Sequence, residues 1–357
     1  MSVFSSPSFD EHEQVCFASD RRSGLRAIIA VHDSTLGPAV GGCRMYPYAD
    51  DAGALEDVLR LSRGMTYKSA LAGLPFGGGK SVIIGDPACD KSTALMHAMG
   101  DFIESLGGRY VAAEDSGTSV EDLREMAQRT RHVSGIALTE AGGDPSPYTA
   151  LGVFIAMRRA LEYRLGSDDL NGIRVAVQGL GQVGFHLASA LRAEGAIVFG
   201  ADVNAANLAR AEHELGVTPV ASDEILALDV DVLAPCALGG VLNSQSVARV
   251  RAGVIAGAAN NQLATAEDGA QLQDRGILYC PDFLINAGGI IDVHYQRSGG
   301  DRARLKPHIA AIGDRLQTVL ERADRLQQPT QKIAEGLARE LLDEAARPPE
   351  PQLASAG

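Results

Sequence analysis

One stretch of this chain limits its fold more than any other. The apolar run RVAVQ leads directly into Gly179-Leu180-Gly181-Gln182-Val183-Gly184, and that turn opens a helical stretch, FHLASALRAEG. A second strand-like run, 196–202, ends on Asp202, about 20 residues further along. Glycines at this spacing permit a tight turn and close approach of backbone to a pyrophosphate. The helix start behind them offers free N–H groups and the positive end of its dipole to the phosphates. A carboxylate ending the next strand accepts hydrogen bonds from an adenosine ribose. A GxGxxG alone is often only a strand–helix turn, and Asp202 alone only a solvated strand end. The strand before, the helix after and the carboxylate beyond together favour a dinucleotide site.

The surroundings fit an α/β fold. Runs 230–233, 254–258 and 277–280 read as further strands with helical stretches between them, the pattern of a parallel sheet covered on both faces. The first part of the chain alternates too. Strands are expected at 25–31 (LRAIIAV), 81–84 (SVII) and 110–113 (YVAA). Helices are expected at 50–62, 93–106, 120–128 and 149–163. Residues 141–148 (AGGDPSPY) collect breaker residues, so a domain boundary is expected there. Positions 303–346 read as helical, and the tail RPPEPQLASAG as disordered. The expected division is a first domain over 1–144, a dinucleotide-binding domain over 145–327, a closing helix at about 328–347, and a tail at 348–357. A length of 357 residues suits two domains.

Charge narrows the partners. The formal net charge is −13, from 45 acidic and 32 basic side chains. Such a surface repels nucleic-acid backbones and anionic lipid. The five cysteines, Cys16, Cys43, Cys89, Cys236 and Cys280, form no CxxC pair and are odd in number. A disulfide framework or zinc site is therefore not expected, and a reducing, cytoplasmic setting is. The N-terminus is polar and acidic, unlike a signal peptide. The eight histidines show no HxH or HxxxH spacing, so no metal site is expected.

A second motif-rich block is MTYKSALAGLPFGGGKSVIIGDP. Lys68 lies near a helix end and Lys80 just before a buried strand, with a glycine-rich loop expected between them. Asp115 ends another strand, in AAEDSGTS. Lysines beside apolar segments need partners. Two lysines and an aspartate at element ends can converge in one cleft, where mutual repulsion and desolvation lower a lysine's pKa and suit acid–base chemistry. From spacing alone, structural ion pairing explains them equally well.

These blocks occur in a recognisable order: GPAVGGCRMYPY, RGMTYKSALAGLPFGGGKSVIIGDP, AAEDSGTS, SPYTALGV, VQGLGQVG, APCALGG, IAGAANNQL and PDFLINAGGI. Taken together the sequence resembles the glutamate/leucine/phenylalanine/valine dehydrogenase family over nearly its whole length, and most closely the leucine and phenylalanine members. The resemblance implies two α/β domains separated by a cleft, an N-terminal substrate domain and a Rossmann-type NAD-binding domain. It also implies a C-terminal helix that returns to the first domain and a homo-oligomer, at least a dimer. The implied reaction is reversible NAD-dependent oxidative deamination of an L-amino acid to the 2-oxo acid and ammonia.

Carried over position by position, Lys68 matches the lysine that pairs with the substrate carboxylate. Lys80 matches the catalytic lysine and Asp115 the proton-relay aspartate. Gly41 and Gly42 match backbone lining the substrate site. Asn260 matches a residue near the nicotinamide and its ribose, and Asn286 one at the junction of substrate and nicotinamide. Without the resemblance, Asn260, Asn261 and Asn286 read as turn formers. Cofactor contacts fall to Gly179, Gly181, Gln182, Val183, Gly184 and Asp202, with NAD expected over NADP because Asp202 repels a 2′-phosphate.

The glutamate branch carries a lysine where this chain has Val40, and a serine where it has Val293. A glutamate side chain would be desolvated here without a partner. Ala113 and Ile290 complete the expected apolar pocket. Its shape favours leucine, valine or isoleucine, with phenylalanine as the alternative. A non-catalytic NAD-binding sensor is disfavoured by the intact Lys80 and Asp115. A 2-hydroxy-acid dehydrogenase would need a catalytic histidine, for which only His294 offers itself, with no supporting motif.

Overall fold

The computed structural model describes residues 3–136 and 144–347. The expected break at 141–148 lies partly outside them, and the expected disordered tail at 348–357 lies wholly outside. In chain order the elements are β1 (Gln14–Asp20), β2 (Leu25–Asp33), β3 (Ala39–Tyr46), α1 (Asp51–Leu71), β4 (Gly77–Ile84), α2 (Thr93–Ser105), β5 (Tyr110–Glu114) and α3 (Val120–Ala127). After the break come α4 (Ser146–Leu165), β6 (Arg174–Gln178), α5 (Gln182–Ala193), β7 (Ile197–Ala201), α6 (Ala205–Leu215), β8 (Thr218–Pro219), β9 (Val232–Pro235) and α7 (Ser244–Arg249). The chain continues through β10 (Val254–Ile255), α8 (Ala266–Asp274), β11 (Leu278–Tyr279), α9 (Asp282–Ile285), α10 (Gly288–Ser298), α11 (Leu305–Leu326) and α12 (Thr330–Ala346).

Two sheets organise these elements. The first has the order β1-β2-β4-β3-β5 and is mixed: β1, β2 and β4 pair antiparallel, while β3 runs parallel to both β4 and β5. The second has the order β11-β10-β9-β6-β7-β8 and is parallel throughout. Its chain moves outward from β6 to β8, then returns to the other side of β6 with β9. That reversal makes a crevice at the C-terminal ends of β6 and β9, where α/β sheets of this kind take ligands.

Helix α1 shows how local chemistry positions the site. Asp50 caps it by accepting the Gly53 N–H at 2.8 Å. Leu55, Val58 and Leu59 are buried with Ile28, Ala30 and Val82 of the first sheet. Each such large side chain contributes about 1.5–3 kcal/mol. The helix runs well beyond the expected end at 62, to Leu71, and so carries Lys68 in its last turn.

The glycine-rich stretch before Lys80 is a strand, not the expected loop. Residues Gly77–Ile84 pair with both β2 and β3 beneath α1. A Cβ on Gly78 would sit 2.1 Å from the Thr66 backbone nitrogen, so glycine is required by the closeness of helix to sheet rather than by a turn. Strand β3, also glycine-bearing, was not expected for the same reason.

The long C-terminal helical stretch divides at 327–329. Gln327 takes a left-handed conformation (φ 53) and Pro329 precedes the next helix. Helix α11 packs on α4, and α12 packs on α1. Among the described residues no helix is long and apolar enough to cross a membrane, and all five cysteines are free thiols.

Candidate active site

A cleft of about 720 Å³ lies between the two sheets. From the first sheet side it is lined by Val40, Gly41, Gly42, Lys68, Lys80, Ala113 and Asp115. From the second it is lined by Gln182, Val183, Asn260, Asn286, Ile290 and Val293. Every substrate-side residue singled out in the sequence therefore meets in one space. Gly179, Gly181, Gly184 and Asp202 sit apart from it, around the turn from β6 into α5.

Three neighbouring strands deliver the polar groups. Lys80 is in β4, Gly42 pairs with Ala113 across β3 and β5, and Asp115 follows the last residue of β5. Lys80 Nζ donates to Asp115 Oδ2, and both side chains are largely buried. The carboxylate fits there because Gly42 has no side chain; a Cβ at that position would lie 2.6 Å from Asp115 Oδ2. Burial alone would raise the Asp115 carboxyl, but the Lys80 and Arg44 charges hold it well below the usual range. Asp115 is thus a carboxylate at neutral pH.

Lys68 is buried and donates to Asn260 Oδ1 at 3.0 Å. Desolvation, with the positive charge of Lys80 added, lowers its amine to about 8. Asn286 donates to the same Asn260 oxygen at 3.0 Å and to the Ala258 carbonyl at 3.0 Å. Its own Oδ1 is buried without a partner among the described residues, an acceptor open to a ligand's N–H. Asn260 and Asn286 therefore present hydrogen-bonding side chains at the cleft. Asn261 is the turn former of the three, with φ 51.

The glycine turn fits a dinucleotide. A Cβ on Gly184 would lie 1.9 Å from the Gly179 carbonyl, which pins α5 against the turn. A Cβ on Gly181 would meet nothing, so open space lies beside the start of α5, where no side chain caps the helix. Free N–H groups facing open space are what a pyrophosphate needs. Asp202 accepts from the Leu180 N–H and the Asn204 N–H, each at 2.7 Å, which ties the end of β7 to the turn. Val203 beside it is fully exposed. Arg210 stacks 3.7 Å above the Phe185 ring and pairs with Glu214, so it is engaged elsewhere.

Met65 and Arg44 are among the site residues that the sequence motifs do not mark. Met65 lines the cleft one helical turn before Lys68, a position that the i, i+3 spacing indicates. Arg44 donates to Asp115, and the period of two along β3 from Val40 and Gly42 points to it. His294, in contrast, contacts the rings of Phe76 and Tyr295 and makes no ion pair among the described residues. Among those residues no group of three or more His, Cys, Asp or Glu side chains is arranged to hold a metal ion.

Comparisons with known proteins identify what the chain is similar to. Residues 12–132 match the family described as Glu/Leu/Phe/Val dehydrogenase, dimerisation domain. Residues 143–210 and 201–296 match that described as Glutamate/Leucine/Phenylalanine/Valine dehydrogenase. The chain is 47% identical over 345 residues to leucine dehydrogenase of Geobacillus stearothermophilus, covering 96% of this chain and 94% of the relative. It is 46% identical over 320 residues to phenylalanine dehydrogenase of Bacillus thermotolerans, covering 88% and 84%. The crystal structure of L-tryptophan dehydrogenase from Nostoc punctiforme superposes with a TM-score of 0.78 at 41% identity, covering 94% of this chain and 97% of that one.

Proposed function

The chain belongs to the glutamate/leucine/phenylalanine/valine dehydrogenase family and is an amino-acid dehydrogenase; from that premise we propose that it uses NAD to deaminate a branched aliphatic L-amino acid. The observation that carries this reading is the wall of the cleft. Lys68, Lys80 and Asp115 share the cleft with Val40, Ala113, Ile290 and Val293, and among the described lining residues those two lysines, already assigned to the α-carboxylate and the reaction, are the only cations. Relatives named leucine dehydrogenase support the choice, and those named phenylalanine dehydrogenase mark the alternative.

In this reading the substrate carboxylate takes the Lys68 ammonium, exchanging one partner, Asn260, for another. Its side chain lies among Val40, Ala113, Ile290 and Val293. Gly179, Gly181, Gly184 and the start of α5 hold the pyrophosphate, Asp202 the ribose, and Asn260 and Asn286 orient the nicotinamide end. When bound, NAD supplies the hydride acceptor. Loss of hydride from Cα leaves an iminium on the substrate, and Lys80 directs water onto that carbon and stabilises the charge that develops. Asp115, already ionised, accepts a proton and returns it to the departing ammonia; its contact with Lys80 lets a proton pass between Nζ and Oδ2 with no side-chain rotation. The balance is amino acid, NAD+ and water to 2-oxo acid, ammonium, NADH and one proton released to solvent. The acidic surface and free cysteines support a cytoplasmic setting. The family's dimerisation domain, matched over 12–132, supports at least a homodimer.

The test is NADH formation with leucine, valine, isoleucine and phenylalanine, with ammonia measured alongside. Lys80→Ala should abolish turnover and leave NADH binding intact. Retention of more than about a tenth of wild-type turnover would overturn its role, since a lost acid–base group costs about 10²–10⁴-fold.

A further inference from the structure

Strand β3 presents one face of its pleat to the cleft. Val40 and Gly42 line the cleft, and Arg44 is next in that row. Arg44 Nε donates to Asp115 Oδ1 at 2.9 Å, and Arg44 Nη1 to Asp57 Oδ2 at 2.9 Å. Tyr48 closes the far end by donating to Asp57 Oδ2 at 2.5 Å. The Ser116 N–H also donates to Asp115 Oδ1, at 2.8 Å. The two oxygens of Asp115 thus have separate duties: Oδ1 is occupied by fixed donors, and Oδ2 faces Lys80.

We infer that Arg44 is a positioning residue that keeps Asp115 ionised and its Oδ2 turned to Lys80 throughout the reaction. The inference rests on the proton-relay role proposed for Asp115. Lys80 alone cannot perform this task, because a lysine that takes part in proton transfer is neutral for part of each turnover. During that interval a buried carboxylate beside it would have no compensating charge and would take up a proton. A guanidinium does not release its proton in a protein, so Arg44 supplies a positive charge that lasts through the cycle. Its rigid fork, gripped by Asp57, which Tyr48 in turn holds, also stops the carboxylate from rotating. Burial raises the Asp115 carboxyl, and Arg44 is one of the two charges that hold it down.

The experiment is the pH profile of kcat and KM for leucine in wild type, Arg44→Gln, Arg44→Lys, Asp57→Asn and Asp115→Asn, with a melting curve for each. In Arg44→Gln, kcat should fall about tenfold or more, the size of an impaired acid–base group, with KM changed little. Its acid limb should move to higher pH by about one unit or more, because Asp115 then takes up protons more readily. Arg44→Lys restores charge but not the fork, so it should recover part of the limb and less of kcat. Asp57→Asn loosens the fork but removes a negative charge near Asp115, so it should lower kcat without moving the limb to higher pH. An unmoved limb with wild-type kcat, or a loss seen only in KM, would overturn the inference. If Arg44→Gln does not fold, Arg44→Lys decides: wild-type kcat and limb in that variant overturn it as well. Asp115→Asn separates the two claims. Wild-type turnover there defeats the relay reading itself, whereas an inactive Asp115→Asn beside unaffected Arg44 variants defeats only the role of Arg44.

Discussion

Lys68 Nζ donates to Asn260 Oδ1 at 3.0 Å, and this bond joins the last turn of α1 to the segment that follows β10 across the cleft. Both walls of the cleft therefore meet at the group assigned to the substrate carboxylate. An arriving carboxylate competes with a neutral amide oxygen for a buried ammonium, and the charged partner is the stronger acceptor.

That placement gives a pH dependence. Burial and then the neighbouring Lys80 charge lower the Lys68 amine to about 8. Below that pH it is an ammonium and binds carboxylate; above it the amine is neutral, and each binding event must also take up a proton. The affinity of 4-methylpentanoate, leucine without its amine, should therefore weaken as pH rises through about 8, approaching tenfold per unit. Calorimetric titration between neutral and alkaline pH measures it. In Lys68→Met, binding should be weak and independent of pH; strong or pH-sensitive binding there would remove Lys68 from its assigned role.

The cofactor prediction follows from Asp202. Its carboxylate is held in place by the Leu180 and Asn204 N–H groups, and Val203 beside it offers no positive charge. A 2′-phosphate would face this carboxylate directly, so turnover with NAD should exceed that with NADP. Asp202→Ala should lower kcat/KM for NAD and narrow the NAD-to-NADP ratio by about tenfold, the effect of roughly 1.4 kcal/mol of like-charge repulsion. An equal or higher rate with NADP in wild type would sink the assignment.

A stability prediction comes from His32. Its Nδ1 sits 2.8 Å from Thr66 Oγ1 and its ring packs edge-on against His12. Burial, reinforced by His12 and only partly offset by Asp10, depresses the ring to about 3. The folded protein thus holds His32 neutral while the unfolded chain protonates near the ordinary value. The sign follows: this contribution is complete above about 6.5 and is lost progressively as pH falls from there toward about 3. His12 is shifted in the same direction. The melting temperature of wild type should fall more steeply between pH 7 and pH 5 than that of His32→Asn. Parallel slopes would contradict the account.

The order of elements was readable where pattern and packing ask for the same residues. RVAVQ, the glycine turn and the helix behind it announce β6 and α5 because an apolar alternation, a turn and an amphipathic period follow without conflict. The reading failed where one residue type serves two purposes. Gly77 to Gly79 look like a loop in sequence but belong to a strand, since the clashes they avoid are with Asp33 on β2, Thr66 on α1 and Tyr110 on β5, none of them adjacent in sequence. Lys68, Lys80 and Asp115 stood out as charges beside apolar runs. That they meet was not deducible from spacing, because it depends on β3, β4 and β5 lying side by side. Arg44 does not stand out in the sequence because the strand that aims it, Ala39–Tyr46, carries Gly41 and Gly42 at its centre.

The pocket remains the most exposed part of the account to test. Val40, Ile290 and Val293 are each less than a tenth exposed, so a glutamate carboxylate placed among them would be stripped of water, and among the described lining residues the only cations are Lys68 and Lys80, both assigned to other groups. The decisive measurement is kcat/KM with NAD for leucine, phenylalanine and glutamate under one set of conditions. The account predicts a leucine-to-phenylalanine ratio above one, overlapping activity on valine and isoleucine because one methylene is worth only about 1–3 kcal/mol, and negligible turnover of glutamate. A ratio below one would contradict the branched-aliphatic assignment, and efficient turnover of glutamate would contradict the pocket itself.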